Sequence, residues 1–173
     1  MTTTKIKIFV SWAGNVSKEI SGLTEGFLKD IFSTSIDTFH SENILKGKMW
    51  LTDIMKKLSL ADLDIICLTK ENLNSLWITF EAGAVYSSST AKNIENPVIA
   101  ILFGVDIDEL KAPINFYQAT FFTKESFIDL IKSIANRVHW GDEPEFLKTF
   151  ETKWKNYEKA VSTILFKNAE QLL

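Results

Sequence analysis

The residues best suited to chemistry in this sequence are Trp77 and Glu81, which stand four positions apart. The run that holds them predicts a helix that starts after Ser75, a favourable N-cap, so the indole ring and the carboxylate share one helical face. Small and apolar residues surround Glu81, and no Lys or Arg lies one turn away to pair with it. Because burial of an unpaired charge is costly, this lone acid is either a solvated surface residue above a core tryptophan or a functional group.

The composition predicts one soluble, globular domain. The chain has 173 residues, of which 46% are hydrophobic, and a net charge of −3, so neither nucleic acid nor an anionic membrane surface is an electrostatically favoured partner. Cys67 lies in an apolar run and is predicted to be a buried thiol in a reducing compartment. His40 and His139 stand too far apart to suggest a metal site. The first residues lack the apolar core of a signal peptide, and we expect a cytoplasmic protein.

Segments of strand type and helix type alternate along almost the whole chain. Strands are predicted at 6–11, 36–39, 62–69, 97–103 and 117–121, and helices at 17–32, 49–60, 76–89 and 124–138. This alternation predicts a flavodoxin-like α/β fold, a five-stranded parallel sheet in the order 2-1-3-4-5 with helices on both faces. An aromatic stripe over 143–167 predicts a further amphipathic helix, which either packs on the domain formed by residues 5–138 or contacts a partner.

In a sheet of this order, a ligand is expected in the crevice outside the carboxyl ends of strands 1 and 3. The loops that reach this edge cover 11–15, 40–48 and 69–76, and Glu81 follows the last of them. The sequence lacks the phosphate-binding patterns of P-loop and dinucleotide-binding proteins, the acidic residues of a phospho-acceptor receiver domain and a Ser/His/Asp triad. The lone acid Glu81 is therefore the main candidate for chemistry at this edge.

Several motifs occur in an order that is typical of one family. Phe9-Val10-Ser11-Trp12 resembles the end of the first strand of Toll/interleukin-1 receptor (TIR) domains. The segment 41–50 resembles the loop and following helix of bacterial members, and 63–77 resembles their third strand with its LTxENLNSxW continuation. The family's WxxxE pattern occurs at 77–81. Over residues 5–138 the chain therefore resembles a bacterial TIR domain of the type that cleaves NAD.

The resemblance implies an enzyme with NAD as its substrate and with no separate cofactor. In TIR domains that act on NAD the glutamate of WxxxE is the catalytic residue, which implies the same role for Glu81. The implied reaction releases nicotinamide and gives ADP-ribose or a cyclic ADP-ribose signal. One carboxylate suffices for it, because nicotinamide leaves as a neutral molecule and the oxocarbenium-like sugar is what needs stabilising. A role in defence against phage and self-association with other TIR domains are further expectations.

Six residues near the expected crevice are candidates for binding the substrate, namely Phe9, Ser11, Trp12, Lys46, Trp50 and Trp77. The tryptophans could stack on adenine or nicotinamide or belong to the core, and Trp12 is the strongest candidate among them because it lies in a loop. Phe9 could line the pocket or pack in the core, and Ser11 could bond to the substrate or cap the next helix. Lys46 and Lys48 could hold phosphate, as could helix N-termini, although loop lysines are commonly solvated.

Two alternatives remain open at this point. The first is a TIR domain without enzymatic activity that works by self-association, with the loop 41–48 docking onto a neighbour. The second is an enzyme similar to nucleoside 2-deoxyribosyltransferases, in which the carboxylate of Glu81 would act as a nucleophile and form a covalent sugar adduct. Product analysis and a search for such an adduct distinguish them.

Overall fold

The computed structural model describes residues 5–40, 50–138 and 143–171. Along them the elements follow in the order β1 (Ile6–Ser11), α1 (Asn15–Phe32), β2 (Ile36–Phe39), α2 (Trp50–Leu60), β3 (Leu63–Leu68), α3 (Leu76–Ala91), β4 (Val98–Leu102), β5 (Gln118–Phe121), α4 (Lys124–Arg137) and α5 (Glu143–Gln171). Short 3-10 segments occupy Ser33–Ser35, Ile107–Glu109 and Ile114–Phe116.

The strands of the described part of the chain form one parallel sheet of five strands in the order β2-β1-β3-β4-β5. This order confirms the predicted flavodoxin-like fold. Every residue of the central strands β3 and β4 is buried, whereas the edge strands β2 and β5 carry exposed residues. The centre is apolar because helices cover both faces of a parallel sheet, and this is what makes β3 and β4 the most hydrophobic strands in the sequence.

The two faces of the sheet carry different helices. Ile8 points into the large core that the sheet forms with α1, α4 and α5. Phe9 points to the opposite face and packs with Ile54 and Leu58 of α2 and Val85 of α3. The helix after β1 and the helix after β3 thus lie on opposite faces, although these strands are neighbours. A crevice opens at such a change of face, outside the carboxyl ends of β1 and β3.

Helix α5 packs along α1 through a cluster of aromatic rings. Phe27 of α1 stacks on Tyr157 with ring centroids 4.4 Å apart, and Phe150 stacks on Trp154 at 5.4 Å. The hydroxyl groups of Thr24 and Tyr157 form a buried hydrogen bond of 2.8 Å, which satisfies the polar end of the tyrosine. The aromatic stripe of α5 is therefore the face that this helix buries against the domain.

The aromatic cluster predicts that α5 stabilises the domain. Replacing Trp154 by Ala removes a buried ring from the cluster and should lower the free energy of unfolding by about 3–5 kcal/mol, or the Tm by about 10 °C. The matched control is Phe166→Ala on the same helix, where the ring is 65% exposed and the loss should be within about 0.5 kcal/mol. Equal Tm values for the two variants in thermal unfolding would contradict the packing of α5.

Candidate functional site

Glu81 lies near the start of α3 and points into the protein. Ser75 caps this helix, its hydroxyl accepting a hydrogen bond from the backbone N–H of Ile78, as the sequence predicts. The helix packs against β3 and α2, and this packing turns Glu81 towards the sheet. The residue has no exposed surface, and within the described ranges neither of its carboxyl oxygens makes a hydrogen bond of ordinary geometry, although Ser11 and Trp77 lie near enough to favour the carboxylate form. Glu81 is therefore not a solvated surface acid.

The prediction that Glu81 is a lone acid is wrong, because a second buried carboxyl group, that of Asp64, raises the pKa of Glu81. Asp64 is the second residue of β3, and strand alternation puts its side chain on the face covered by α3, together with Ile66 and Leu68. It is fully buried. Its Oδ1 accepts a hydrogen bond of 2.8 Å from the hydroxyl of Ser11, while Oδ2 has no partner among the described residues. The site thus contains two buried carboxyl groups.

The surroundings of the two carboxyl groups favour their neutral forms. Burial, followed by the charge of Asp64, raises the pKa of Glu81 from its ordinary value of 4.5 to about 8, and Ser11 and Trp77 act in the opposite direction. Burial also raises the pKa of Asp64 to about 7, against the hydrogen bond from Ser11. No described cation contributes to either pKa. Buried carboxyl groups with strongly raised pKa values are typical of functional sites.

Ser11 and Phe9 both belong to β1 and share the sheet face that carries Asp64. Ser11 is the last residue of the strand, is 1% exposed and donates its hydroxyl proton to Asp64. It does not cap α1, which was the alternative role open to it. Phe9 is fully buried and meets the ring of Phe39 edge-on at 5.3 Å. It forms part of the core beside the site, and a role for it or for Ser11 in contacting a substrate stays a prediction.

The N-terminus of α1 is occupied by a carboxylate of the chain itself. Both carboxyl oxygens of Glu71, in the loop after β3, accept hydrogen bonds from the backbone N–H groups of Asn15 (3.1 Å) and Val16 (3.0 Å). Gly14 precedes the helix with φ of 85°, a conformation that favours glycine, and a Cβ there would also displace the Glu71 carboxyl from its position. This contact joins the two loops that border the crevice. The N-terminus of α1 therefore does not present free amides to a phosphate group.

Trp12 follows β1 at the edge of the crevice and is half-buried. Its ring centroid lies 6.4 Å from that of His40, which follows β2, and the ammonium of Lys18 lies 5.4 Å from the indole ring. The structure thus brings an aromatic ring and two nitrogen-bearing side chains together above the carboxyl end of β1. Lys18 supplies a positive charge there, and His40 supplies an imidazole ring.

The remaining predicted substrate-binding residues lie in different surroundings. Trp77 is half-buried, packs on the cluster of Phe9 and α2, and stacks on Phe80 with centroids 5.2 Å apart. Trp50 is the first residue of α2, and its side chain is outside the described part. Lys46 and the whole loop 41–48 also lie outside the described residues. Of the four candidates whose side chains are described, Ser11 and Trp77 influence the pKa of Glu81.

Neither a metal site nor a membrane span is found in the described ranges. Among residues 5–40, 50–138 and 143–171 no group of three or more His, Cys, Asp or Glu side chains is arranged to hold a metal ion. Within the same ranges no helix is long and apolar enough to cross a membrane. Cys67 is buried as a free thiol on the other sheet face, and burial raises its pKa to about 12, so it is not a nucleophile at this site.

Comparisons with known proteins give a likeness of fold. A scan against protein-family models found no match, and a search of curated proteins found none either. Among solved structures, the chain is similar to the TIR domains in the structure of the activated Roq1 resistosome directly recognizing the pathogen effector XopQ. The TM-score is 0.45 at 13% sequence identity, and the match covers 92% of this chain and 83% of that chain. Function has to be inferred from the site.

Sequence reasoning missed two residues that shape the site. Asp64 stands inside the most apolar strand, and an acid at a position that must be buried is the signal that could have identified it. Glu71 reads as an ordinary polar loop residue, and nothing in its neighbours points to Asn15 and Val16, which lie more than fifty positions away. The first omission concerns the chemistry, and the second concerns the shape of the crevice.

The raised pKa of Glu81 predicts that the protein loses stability in alkaline solution. A carboxyl group with a higher pKa in the folded than in the unfolded chain stabilises the fold fully below about pH 4.5, and that contribution is lost as the pH rises through about 8. Glu81→Gln cannot ionise and should gain roughly 4 kcal/mol over the wild type at pH 9, or about 10 °C in Tm. At pH 4.5 the two proteins should unfold at similar temperatures.

The matched control for this comparison is Glu158→Gln, which removes an exposed carboxylate from α5. Its Tm should follow that of the wild type at both pH values. If Glu81→Gln also follows the wild type from pH 4.5 to 9, the carboxyl group of Glu81 is not held in a desolvated environment.

Proposed function

We propose that this protein cleaves the bond between ribose and nicotinamide in NAD, with Glu81 as the catalytic residue. The observation that carries the proposal is a fully buried carboxyl group after β3 of a parallel sheet, with no hydrogen bond of ordinary geometry and no cation beside it in the described part of the chain. Burial of such a group lowers the stability of the fold, which favours a functional role for it. The WxxxE pattern and the other motifs that resemble NAD-cleaving TIR domains supply the substrate class.

The chemistry requires one negative charge next to the sugar. The bond between ribose C1′ and the ring nitrogen breaks, its electron pair stays on the ring, and nicotinamide leaves neutral. Positive charge then develops on C1′ and the ribose oxygen, where the carboxylate of Glu81 stabilises it. Attack of water on C1′ with loss of a proton gives ADP-ribose, and attack of an adenine nitrogen gives a cyclic product. Both outcomes share the step that depends on Glu81.

The raised pKa of Glu81 fits a cationic substrate. With the site empty, burial and Asp64 hold the pKa at about 8, so the carboxyl group is mostly protonated at neutral pH. A nicotinamide ribosyl cation beside it in a water-poor site attracts the carboxylate form and lowers the pKa. Glu81 thus ionises when the cationic ring arrives. Because Glu81 has no exposed surface, the substrate must displace side chains that cover it.

The side chains around Trp12 support an aromatic wall for the substrate. Trp12 is half-buried at the carboxyl end of β1, and Lys18 and His40 lie beside its ring. A base could stack on the indole while the ammonium and imidazole contact the negative diphosphate. This arrangement replaces the helix N-terminus, which Glu71 occupies.

Replacing Glu81 by Gln should abolish most of the nicotinamide release from NAD. The amide keeps the size of the side chain and removes the charge that stabilises the sugar cation, so we expect kcat to fall roughly 10²–10³-fold. The measurement is chromatography of nicotinamide and of the sugar nucleotide product, over a series of protein concentrations because self-association is expected. Glu158→Gln is the control and should keep the wild-type rate.

Two results would count against this assignment. If folded Glu81→Gln releases nicotinamide as fast as the wild type, Glu81 is not catalytic. If the wild type releases none at any protein concentration, the alternative of a TIR domain without enzymatic activity gains support. A covalent sugar on Glu81 detected by mass spectrometry would instead favour the mechanism similar to nucleoside 2-deoxyribosyltransferases.

Trp12→Ala tests the proposed wall independently of the catalytic charge. Loss of one stacking contact should raise the KM for NAD by about tenfold and leave kcat within a few-fold, because the ring contacts the substrate and not the reacting bond. Phe116→Ala is the control, since this ring is 77% exposed and lies before β5, away from β1. A fall in kcat at constant KM would show that Trp12 does not bind the base.

Self-association is the second candidate function, and α3 carries the observation that favours it. Leu76 is 86% exposed and Phe80, one turn later, is 38% exposed, so this helix is apolar on its outer side as well. The two functions are compatible, since assembly with other copies could accompany NAD cleavage. A role in defence against phage is proposed on the motif resemblance alone.

A further inference from the structure

Three buried groups with polar side chains meet between β1, β3 and α3. Ser11 and Asp64 lie on the neighbouring strands β1 and β3. The residue of β3 that pairs with Ser11 is Ile66, two positions after Asp64. The Ser11 hydroxyl donates to Asp64 at 2.8 Å, and Ser11 also lies close enough to Glu81 to favour its carboxylate form. Ser11, Asp64 and Glu81 are each at most 1% exposed.

The hydroxyl of Ser11 has a single proton, and this limits what the three groups can do together. While that proton is donated to Asp64, the Ser11 oxygen can only accept, and its partner must be a donor such as protonated Glu81 or a substrate hydroxyl. If Glu81 is a carboxylate and accepts the hydrogen bond of the Ser11 hydroxyl, Asp64 loses that hydrogen bond. The neutral form of Asp64 is then the more stable one. Two buried like charges are costly, so the arrangement favours one negative charge at a time.

We propose that Asp64 is a positioning residue for Glu81. Asp64 acts on Glu81 through the hydroxyl of Ser11, so that the two carboxyl groups form a single coupled unit. The consequence of this coupling for catalysis rests on the proposed function, whereas the coupling itself is independent of it. Near pH 7 Asp64 holds the negative charge before substrate binds, and when Glu81 ionises against the cationic substrate Asp64 takes up the proton that Glu81 loses and becomes neutral. Asp64 does not contact the substrate, because it lies below Ser11 and two residues nearer the start of β3.

The other titratable groups near the unit do not replace Asp64. Tyr117, before β5, and Cys67, on β3 itself, respond to the charge of Asp64, and both are neutral at pH 7 because their pKa values are raised. Asp62, near the start of β3, is engaged with the backbone N–H of Lys7 at 2.9 Å and with Lys92 at 3.7 Å. In the described ranges no ammonium or guanidinium pairs with Asp64 or Glu81.

The first test is a double-mutant cycle on the pH dependence of unfolding, which needs no enzymatic activity. Asp64→Asn, Glu81→Gln and the double variant are compared with the wild type by thermal unfolding between pH 5 and 9. The wild type should lose Tm between pH 5 and 9, and each single variant should remove more than half of that loss. The double variant should remove much less than the sum of the two single effects. Asp62→Asn is the matched control and should be additive with Glu81→Gln. Additive effects of Asp64→Asn and Glu81→Gln would overturn the coupling.

The second test is the pH profile of nicotinamide release. Asp64→Asn keeps an oxygen that can accept from Ser11 but removes the charge, so the midpoint of the acid limb of kcat/KM should move down by about one pH unit or more. Asp62→Asn should leave the midpoint in place. A purely structural role for Asp64 would lower Tm without moving the midpoint, and that result would overturn the proposal.

The two tests separate failure of the inference from failure of the proposed function. A non-additive unfolding cycle in a protein that does not cleave NAD would uphold the coupling and reject the NAD reaction. Should Asp64→Asn fail to fold, carbon-13 NMR of the wild-type carboxyl groups replaces it. Coupled groups titrate with two inflections each, and a single independent inflection for Glu81 would overturn the proposal.

Discussion

Desolvation of two carboxyl groups on one face of the sheet is the constraint on which the rest of this site depends. Glu81 and Asp64 are both withdrawn from water, and the described residues that favour their charged forms are the hydroxyl of Ser11 and the indole of Trp77, with no cation. Such a pair is stable only as long as protons or an external positive charge neutralise it. The apolar packing of Ile78, Ala82 and Val85 on α3 offsets the cost, because these residues are buried on the same helix.

The two faces of the sheet divide the tasks of stability and chemistry. On one face α1, α4 and α5 bury a continuous apolar and aromatic core, in which the polar atoms of Thr24 and Tyr157 satisfy each other. On the other face α2 and α3 cover a smaller set of apolar residues, and this face carries Ser11, Asp64 and Glu81. Proteins commonly give up local stability at functional sites and compensate for it elsewhere. The aromatic cluster of α5 provides that compensation here.

The sequence predicts the fold well because its signals are local and repeated. Runs such as Leu63–Leu68 and the N-cap at Ser75 need only their immediate neighbours to form, and the alternation of strand and helix then leaves few topologies. The candidate site is predicted less completely. Glu81 can be identified because it stands out on its own helix, whereas its coupling to Asp64 depends on the register between β1 and β3.

Long-range contacts explain the remaining differences between expectation and structure. From the sequence, a helix N-terminus is a plausible binding site for phosphate. In the fold, however, the N-terminus of α1 binds the carboxylate of Glu71, which comes from another loop. In the same way Trp12 acquires Lys18 and His40 as neighbours only when β1, α1 and β2 are assembled. Residue types mark the candidates, and the fold decides their partners.

The central claim is that a buried, protonated Glu81 ionises to meet a cationic sugar. Calorimetric titration with an NAD analogue whose ribose oxygen is replaced by a methylene group, which keeps the cationic ring but resists cleavage, tests this directly. In buffers of different ionisation enthalpy at about pH 5.5, where Asp64 and Glu81 are both protonated before binding, binding should release close to one proton from the wild type and none from Glu81→Gln. Binding that releases no proton, or the same number from both proteins, would contradict the account.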